Sequence, residues 1–224
     1  MPQQAQDQAE GLRIYDELIA VHTIMRRGTV LTATALTRLA SGSSSSIKPL
    51  VRLIRWQAAF VHHHHRSEDE LFWPVLRELF PDSVASLDEL TEQHHVLDGE
   101  LDRLSAASDE LAKASRSAAT DIARTRALPS AEKVRDVLAA HLDAEEPVLL
   151  TLFPQTPSAR IVELRKAIVA GAPRGGPDLV LGLLDDPEPA RGAAAMQANF
   201  PPPVRLLRPL LLRRYRARKR LLES

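Results

Sequence analysis

The chain has 224 residues, 44% of them apolar, 26% charged and only 4% aromatic, with a formal net charge of zero. That length suits one domain of ordinary size plus an appendage, and the balance is that of a soluble globular chain richer in helix formers than in strand formers. The absence of cysteine excludes a disulfide framework, a thiolate zinc site, an iron–sulfur cluster and a cysteine nucleophile, so any metal must be held through nitrogen and oxygen.

The N-terminus, MPQQAQDQAE, is polar and acidic, without the basic and apolar regions of a secretion signal. No run of about 18 apolar residues appears, so no segment is expected to span a membrane and a cytoplasmic location is the expectation. The zero net charge conceals a segregation. Residues 204–224 carry eight Lys/Arg against Glu223 alone, which leaves 21 bases against 28 acids in residues 1–203. A basic tail follows an acidic body.

In chain order, the first helical pattern runs from about Gln6 to Leu39, with Ile14, Leu18, His22 and Met25 on its apolar face. SGSSSS at 41–46 reads as a loop that also offers N-caps. A second helix is predicted from Ile47 to Phe80, stopped by Pro81-Asp82-Ser83. A third follows from Ser83 to about Ala118, and a fourth from after Pro129-Ser130 to Phe153-Pro154. Four long helices with short polar connections predict an all-α fold, an up-and-down antiparallel four-helix bundle over residues 6–154. Residues 155–224 read as a helical extension: a short helix at 158–170, a GAPRGGP linker, and helical fragments over 178–200 broken by Pro187 and Pro189. Pro201-Pro202-Pro203 then introduces a basic helix at 204–222.

All eight histidines lie between positions 22 and 141, and each bundle helix carries at least one. On the third helix the stripe predicted to be buried reads Leu87, Leu90, His94, Leu97, Leu101, Leu104. On the fourth it reads Val134, Leu138, His141, Glu145, Val148, Leu152, and on the second Ile54, Gln57, Val61, His64, Glu68, Leu71, Val75. Steps of three and four are the seam by which a helix faces a bundle core. His64–Glu68 and His141–Glu145 each stand four residues apart, so each pair shares a face. An unpaired carboxylate in an apolar core costs several kcal/mol or more, so it neutralises, pairs or binds a cation. Two carboxylates and four imidazoles at one level of a bundle suit about two divalent metals. The seam favours His94 over His95 and Glu145 over Glu146. It leaves His62 and His63 as rim residues. Pro74 and Pro147 fall inside predicted helices, where each deletes a backbone donor and is expected to bend the helix.

His22 in VHTIMRR, HHRSEDELFWPVL (64–76), EQHHVLDGEL (92–101) and HLDAEEPVLL (141–150) together resemble the hemerythrin family in its HHE cation-binding form, over roughly residues 10–154. The resemblance implies a four-helix bundle holding two non-haem Fe ions with a bridging oxo or hydroxo group. The implied ligands are His22, His64, His94 and His141, with Glu68 and Glu145 as bridging carboxylates. Oxygen-carrying members place a second His four residues after the first on the third helix, where this chain has Asp98. The role of Asp98 and of His65, as ligands or as supports for ligands, is left open by the sequence. With one His fewer the centre would be more open or more carboxylate-rich, which favours redox turnover over reversible oxygen carriage. The implied partners are small molecules: O2, H2O2 or NO. In an enzyme the chemistry would be catalase-like decomposition of peroxide or oxidation of an organic substrate. The alternatives are oxygen or iron binding, storage or sensing without turnover, and an interaction module with a structural metal.

The tail, VRLLRPLLLRRYRARKRLLES, has two readings. One is peripheral contact with a membrane surface or nucleic acid through its arginines. The plainer is that Leu206, Leu207, Leu210, Leu211 and Leu212 pack on the bundle while the arginines meet its acidic surface. No nucleic-acid partner is expected, because nothing resembles a DNA-binding motif.

Overall fold

The computed structural model describes residues 2–42, 46–114, 116–172 and 175–223. Ser43, Ser44 and Ser45 of the serine loop therefore lie outside the described residues. Every regular element among those described is helical. Helix α1 spans Pro2–Ala40 and α2 spans Ile47–Ser67; a π turn at Glu68–Phe72 then leads into α3, Trp73–Leu79. Helix α4 is Val84–Lys113, α5 is Arg116–Ile122, and a second π turn at Ala123–Ala127 leads into α6, Leu128–Leu152. The extension comprises α7 (Ser158–Gly171), α8 (Pro177–Asp185), α9 (Ala193–Ala198), α10 (Pro202–Leu206) and α11 (Arg208–Glu223).

Four long helices form the bundle. Helix α1 lies against α2 and α6, and α4 lies against the same two from the other side. All six positions of the predicted α4 stripe are buried. Burying a leucine in this way contributes about 2 kcal/mol apiece. The apolar interior divides along its length into two clusters. One holds Ile24, Leu36, Leu50, Ile54, Leu101 and Leu138, and the other holds Ile14, Phe72, Trp73, Leu87, Leu149 and Phe153. The histidines and glutamates sit at the level between them.

The sequence reading fails in two informative places, and Leu18 and Val148 of the predicted apolar stripes are only half-buried at the edge of the core. Beyond Glu68 the predicted second-helix stripe continued through Leu71 and Val75, yet Phe72, Trp73 and Leu76 are the buried residues there, while Leu71 and Val75 are half-buried. The π turn adds one residue to a turn and so advances the inward register by one. Pro74 stands at the start of α3, where its missing N–H costs little. The second failure concerns the fourth helix, which begins well before Pro129. The chain is helical from Arg116 through the second π turn into α6, and Pro129 occupies its first turn. Pro147 lies within α6, which continues past it to Leu152.

The extension is built onto the bundle. Leu179, Leu183 and Leu184 of α8, with Tyr215 and Leu222 of α11, belong to the same buried cluster as the bundle leucines. The Arg27 guanidinium donates to the carbonyls of Leu183 (2.9 Å), Leu184 (3.3 Å) and Glu188 (2.9 Å), satisfying acceptors at the end of α8. At Gly182 an added Cβ would stand 2.0 Å from the Tyr215 ring, so only glycine lets α8 and α11 approach this closely. At Gly11 it would stand 2.2 Å from the Phe153 carbonyl oxygen, where α1 crosses the end of α6. No helix among the described residues is long and apolar enough to cross a membrane.

Candidate metal centre

Each bundle helix delivers part of one buried cluster. His22 comes from α1, His64 and His65 from α2, Glu68 from the π turn that follows, His94 from α4, and His141 and Glu145 from α6. All seven are buried, from fully enclosed Glu145 to His64 at 8% exposure. They fall into two groups, in each of which one ligand-type atom per residue lies within 4.8 Å of the others: His65, His94 and His141; and His22, His64, Glu68 and Glu145.

The two carboxylates link the groups. One Glu68 oxygen lies 3.1 Å from His64 Nε2, and the other lies 3.5 Å from His94 Nε2. One Glu145 oxygen lies 3.8 Å from His22 Nε2, and the other 3.2 Å from His141 Nε2. Each carboxylate therefore presents one oxygen to each histidine group. None of the five Nε2 atoms or of these four oxygens makes a hydrogen bond, although all are buried. An unsatisfied buried polar atom costs about 1–3 kcal/mol, so nine of them in one chamber describe a donor set built for cations. Five imidazoles and two bridging-type carboxylates suit a pair of borderline divalent ions and fit the implied metals.

The outward nitrogens are engaged. The Nδ1 of His22 donates to Glu146 (3.0 Å), that of His65 to Asp98 (2.6 Å), that of His94 to Asp69 (3.0 Å), and that of His141 to the side-chain oxygen of Gln93 (3.1 Å). A carboxylate or amide oxygen can only accept, so each contact places the proton on Nδ1 and leaves the Nε2 lone pair facing inward. Every one of these supports crosses between elements: α6 to α1, α4 to α2, the π turn to α4, and α4 to α6. No such partner stands behind His64 among the described residues. Trp73 stacks over His94 at 6.1 Å between ring centroids, and the His65 and His94 rings stack at 4.2 Å.

Burial governs the electrostatics. It pushes the His64 imidazolium well below its ordinary range, with the neighbouring His22 adding to the shift. It lowers His65 to about 4 against the opposing pull of Asp98. Both imidazoles are thereby kept neutral, the form that donates electrons to a metal. Burial and the adjacent charge of Glu145 push the Glu68 carboxyl well above its ordinary range. Burial would raise Glu145 as well, but His22 and His141 outweigh it and hold that carboxyl low. Like-charged carboxylates confined together separate in this way when no cation is shared between them.

The sequence-predicted residues are distributed as follows. His22, His64, Glu68 and Glu145 share one group, and His94 and His141 share the other, completed by His65. Asp98 belongs to neither group and stands behind His65. With His65 the cluster holds five imidazoles, so Asp98 in place of a second α4 histidine does not leave it one short. His95 is exposed, its side chain 68% accessible, and Glu146 faces the outer nitrogen of His22. His62 lies at the rim, 3.2 Å from Asp98 and 3.4 Å from Asp102. Sequence reasoning missed Asp69, Gln93 and Glu146. Each adjoins a predicted ligand in sequence, yet Asp69, Gln93 and Glu146 each support a histidine on another helix.

A helical bundle with a buried, bridged His/Glu cluster defines a metal-binding four-helix protein. Residues 13–153 match the hemerythrin HHE cation-binding domain. The chain belongs to that family. Comparison with curated proteins and with solved structures found no match.

Proposed function

We propose that this chain is a non-haem di-iron protein, its residues 6–154 carrying the centre and residues 155–224 serving as a helical extension, and that the centre meets O2, peroxide or NO in redox chemistry. The observation that carries this reading is the pair of carboxylates, each with one oxygen toward each histidine group. One ion would take His65, His94 and His141, the other His22 and His64, with Glu68 and Glu145 shared between them. When bound, such a pair supplies one-electron redox chemistry toward O2, hydrogen peroxide or nitric oxide.

The protein's own contribution is positioning. Asp98, Asp69, Gln93 and Glu146 hold the Nδ1 protons and so fix each ring's tautomer and aim. The two-histidine group has one nitrogen donor fewer, and its His64 is the most exposed of the seven residues. That side is where a small molecule would arrive. Enclosure of the remaining residues to 2% exposure or less excludes water and gives a bulky organic substrate no face to approach. This favours diatomic molecules and peroxide over oxidation of a large substrate.

The test is anaerobic loading of the purified full-length chain with ferrous iron, followed by metal analysis and absorption spectroscopy. Two irons per chain, and a near-ultraviolet band that changes on exposure to O2, peroxide or NO, are expected. A single metal per chain, or a zinc-loaded protein without spectral response, would overturn the proposal. Oxygen evolution from added peroxide identifies turnover, whereas a stable adduct without evolution identifies binding or sensing.

A further inference from the structure

The surface of the last two helices follows the plainer reading of the tail only in part. Leu212 is buried and Leu211 half-buried, but Leu206, Leu207 and Leu210 are 81%, 51% and 60% exposed. Three exposed leucines within five residues, across the junction of α10 and α11, are apolar surface without an internal use. The apolar residues that anchor α11, Leu212, Tyr215 and Leu222, lie on its opposite, buried side.

The same helix is strongly cationic, and its charges divide into two sets. Arg208 pairs with Asp185, Lys219 lies 2.5 Å from Asp186, and Arg218 lies 3.0 Å from Asp178. These tie α11 to α8. Arg213, Arg216 and Arg220, with Arg205 of α10, are exposed and have no acidic partner among the described residues. Arg214, one turn beyond Leu210 and therefore on the same face, is 62% accessible and lies 3.7 Å from Asp178. Arg214 also borders a cleft of about 880 Å³ between α2 and α11, which Lys48, Arg52, Arg55 and Arg218 line with Asp178 as the single acid. Arg55 is paired with Asp109 at 2.7 Å, and Arg214 and Arg218 share Asp178, so Lys48 and Arg52 are left without an acidic partner among the described residues and the lining is net positive, which suits an anionic group.

We propose that the α10–α11 surface is a peripheral docking site for an anionic lipid bilayer. Leu206, Leu207 and Leu210 enter the headgroup layer, Arg213 and Arg220 meet the charged surface, and a lipid phosphate is held in the cleft between Lys48, Arg52 and Arg214. An amphipathic surface of exposed leucines flanked by arginines binds in this way through buried apolar area together with attraction to anionic lipid. Nucleic acid would satisfy the arginines, but it offers no apolar layer for the leucines, and the one aromatic side chain lining the cleft, Trp56, is half-buried and already stacked on Phe60. The leucines therefore decide between the two classes of partner. The proposal is independent of the metal centre, whose ligands all lie within residues 22–145.

The test is co-sedimentation of the full-length chain with vesicles of phosphatidylcholine mixed with phosphatidylglycerol, against vesicles of phosphatidylcholine alone. Binding to the mixed vesicles is expected, reduced by salt and absent on the neutral ones. Leu206→Ser/Leu207→Ser/Leu210→Ser should weaken partitioning by roughly tenfold or more. Arg52→Gln/Arg214→Gln should weaken it severalfold, with the remaining binding still carried by the leucines. Because all five side chains are exposed, helical content and thermal midpoint should match the parent, so lost binding cannot be confused with unfolding. Failure to bind mixed vesicles, equal binding to both kinds, or retention by the triple leucine variant would each overturn the proposal. Tighter binding to duplex RNA or DNA than to mixed vesicles would replace the membrane with nucleic acid.

Discussion

Two buried clusters of charge lie little more than one turn apart along α1 and differ in how their polar atoms are satisfied. Around Glu17, 8% exposed, the carboxylate accepts hydrogen bonds from Arg13, from Arg165 of α7 at 2.5 Å and from Asn199, just beyond α9, at 3.0 Å. Around His22 the inward nitrogens and carboxylate oxygens have no such partners. The first cluster is satisfied within the chain and fastens the extension to the bundle. The second is complete on its outer side and open on its inner side, so it spends folding energy on a chamber that only a cation satisfies. Burial and charge are common to both. Satisfaction separates a structural tie from a functional site.

Opposite responses to the same kind of substitution would break or sharpen that contrast. Glu68→Leu should have the largest effect, weakening metal binding by at least about a hundredfold, measured by metal analysis and competition with a chelator. In chelated protein the same variant should raise the thermal midpoint, because it removes an unsatisfied buried group. Unchanged metal content would remove Glu68 from the proposed bridge. Chelation of the parent protein should come next. A metal in thousandfold excess over its dissociation constant stabilises by about 4 kcal/mol, so the midpoint should fall on the order of 10 °C. If calorimetry shows the same midpoint with and without metal, the open chamber is not what the cation completes.

Glu17→Leu should act in the other direction. It leaves Arg165 without its acceptor and should cost about 2 kcal/mol in a denaturant titration, while metal content stays at the parent level. A gain in stability there would contradict the distinction between the two clusters. The smallest effect is expected for Asp98→Asn, which keeps shape but weakens the grip on His65 Nδ1. Metal affinity should fall about tenfold with little change in the midpoint of the metal-free chain. Unaltered affinity would show that the His65 ring is aimed by packing alone, through its stack on His94.

Much of this was legible in the order of residues. Steps of three and four place Leu87, Leu90, His94, Leu97, Leu101 and Leu104 on one face whatever the surroundings, so their common burial follows from helix geometry alone. The same periodicity put His94 inward and His95 outward. It failed beyond Glu68, where a π turn moves the inward register from Leu71 and Val75 to Phe72 and Leu76, and no residue type announces such a turn. It failed again at the start of the fourth helix, where a proline that ends many helices occupies the first turn of α6 instead.

What the sequence determined by itself is most of the inward-facing set on each helix, His22, His64, Glu68, His94, His141 and Glu145 among it, because side-chain direction along a regular helix is a local property. Only the tertiary structure decided how those residues meet. It divided them into two groups, brought in His65 as the third imidazole of one, and turned each carboxylate so that it faces both. It also placed Asp69, Gln93, Asp98 and Glu146 behind histidines on other helices, and left Leu206, Leu207 and Leu210 in solvent. Those outcomes depend on the rotation and depth of one helix against the next, which no single helix encodes.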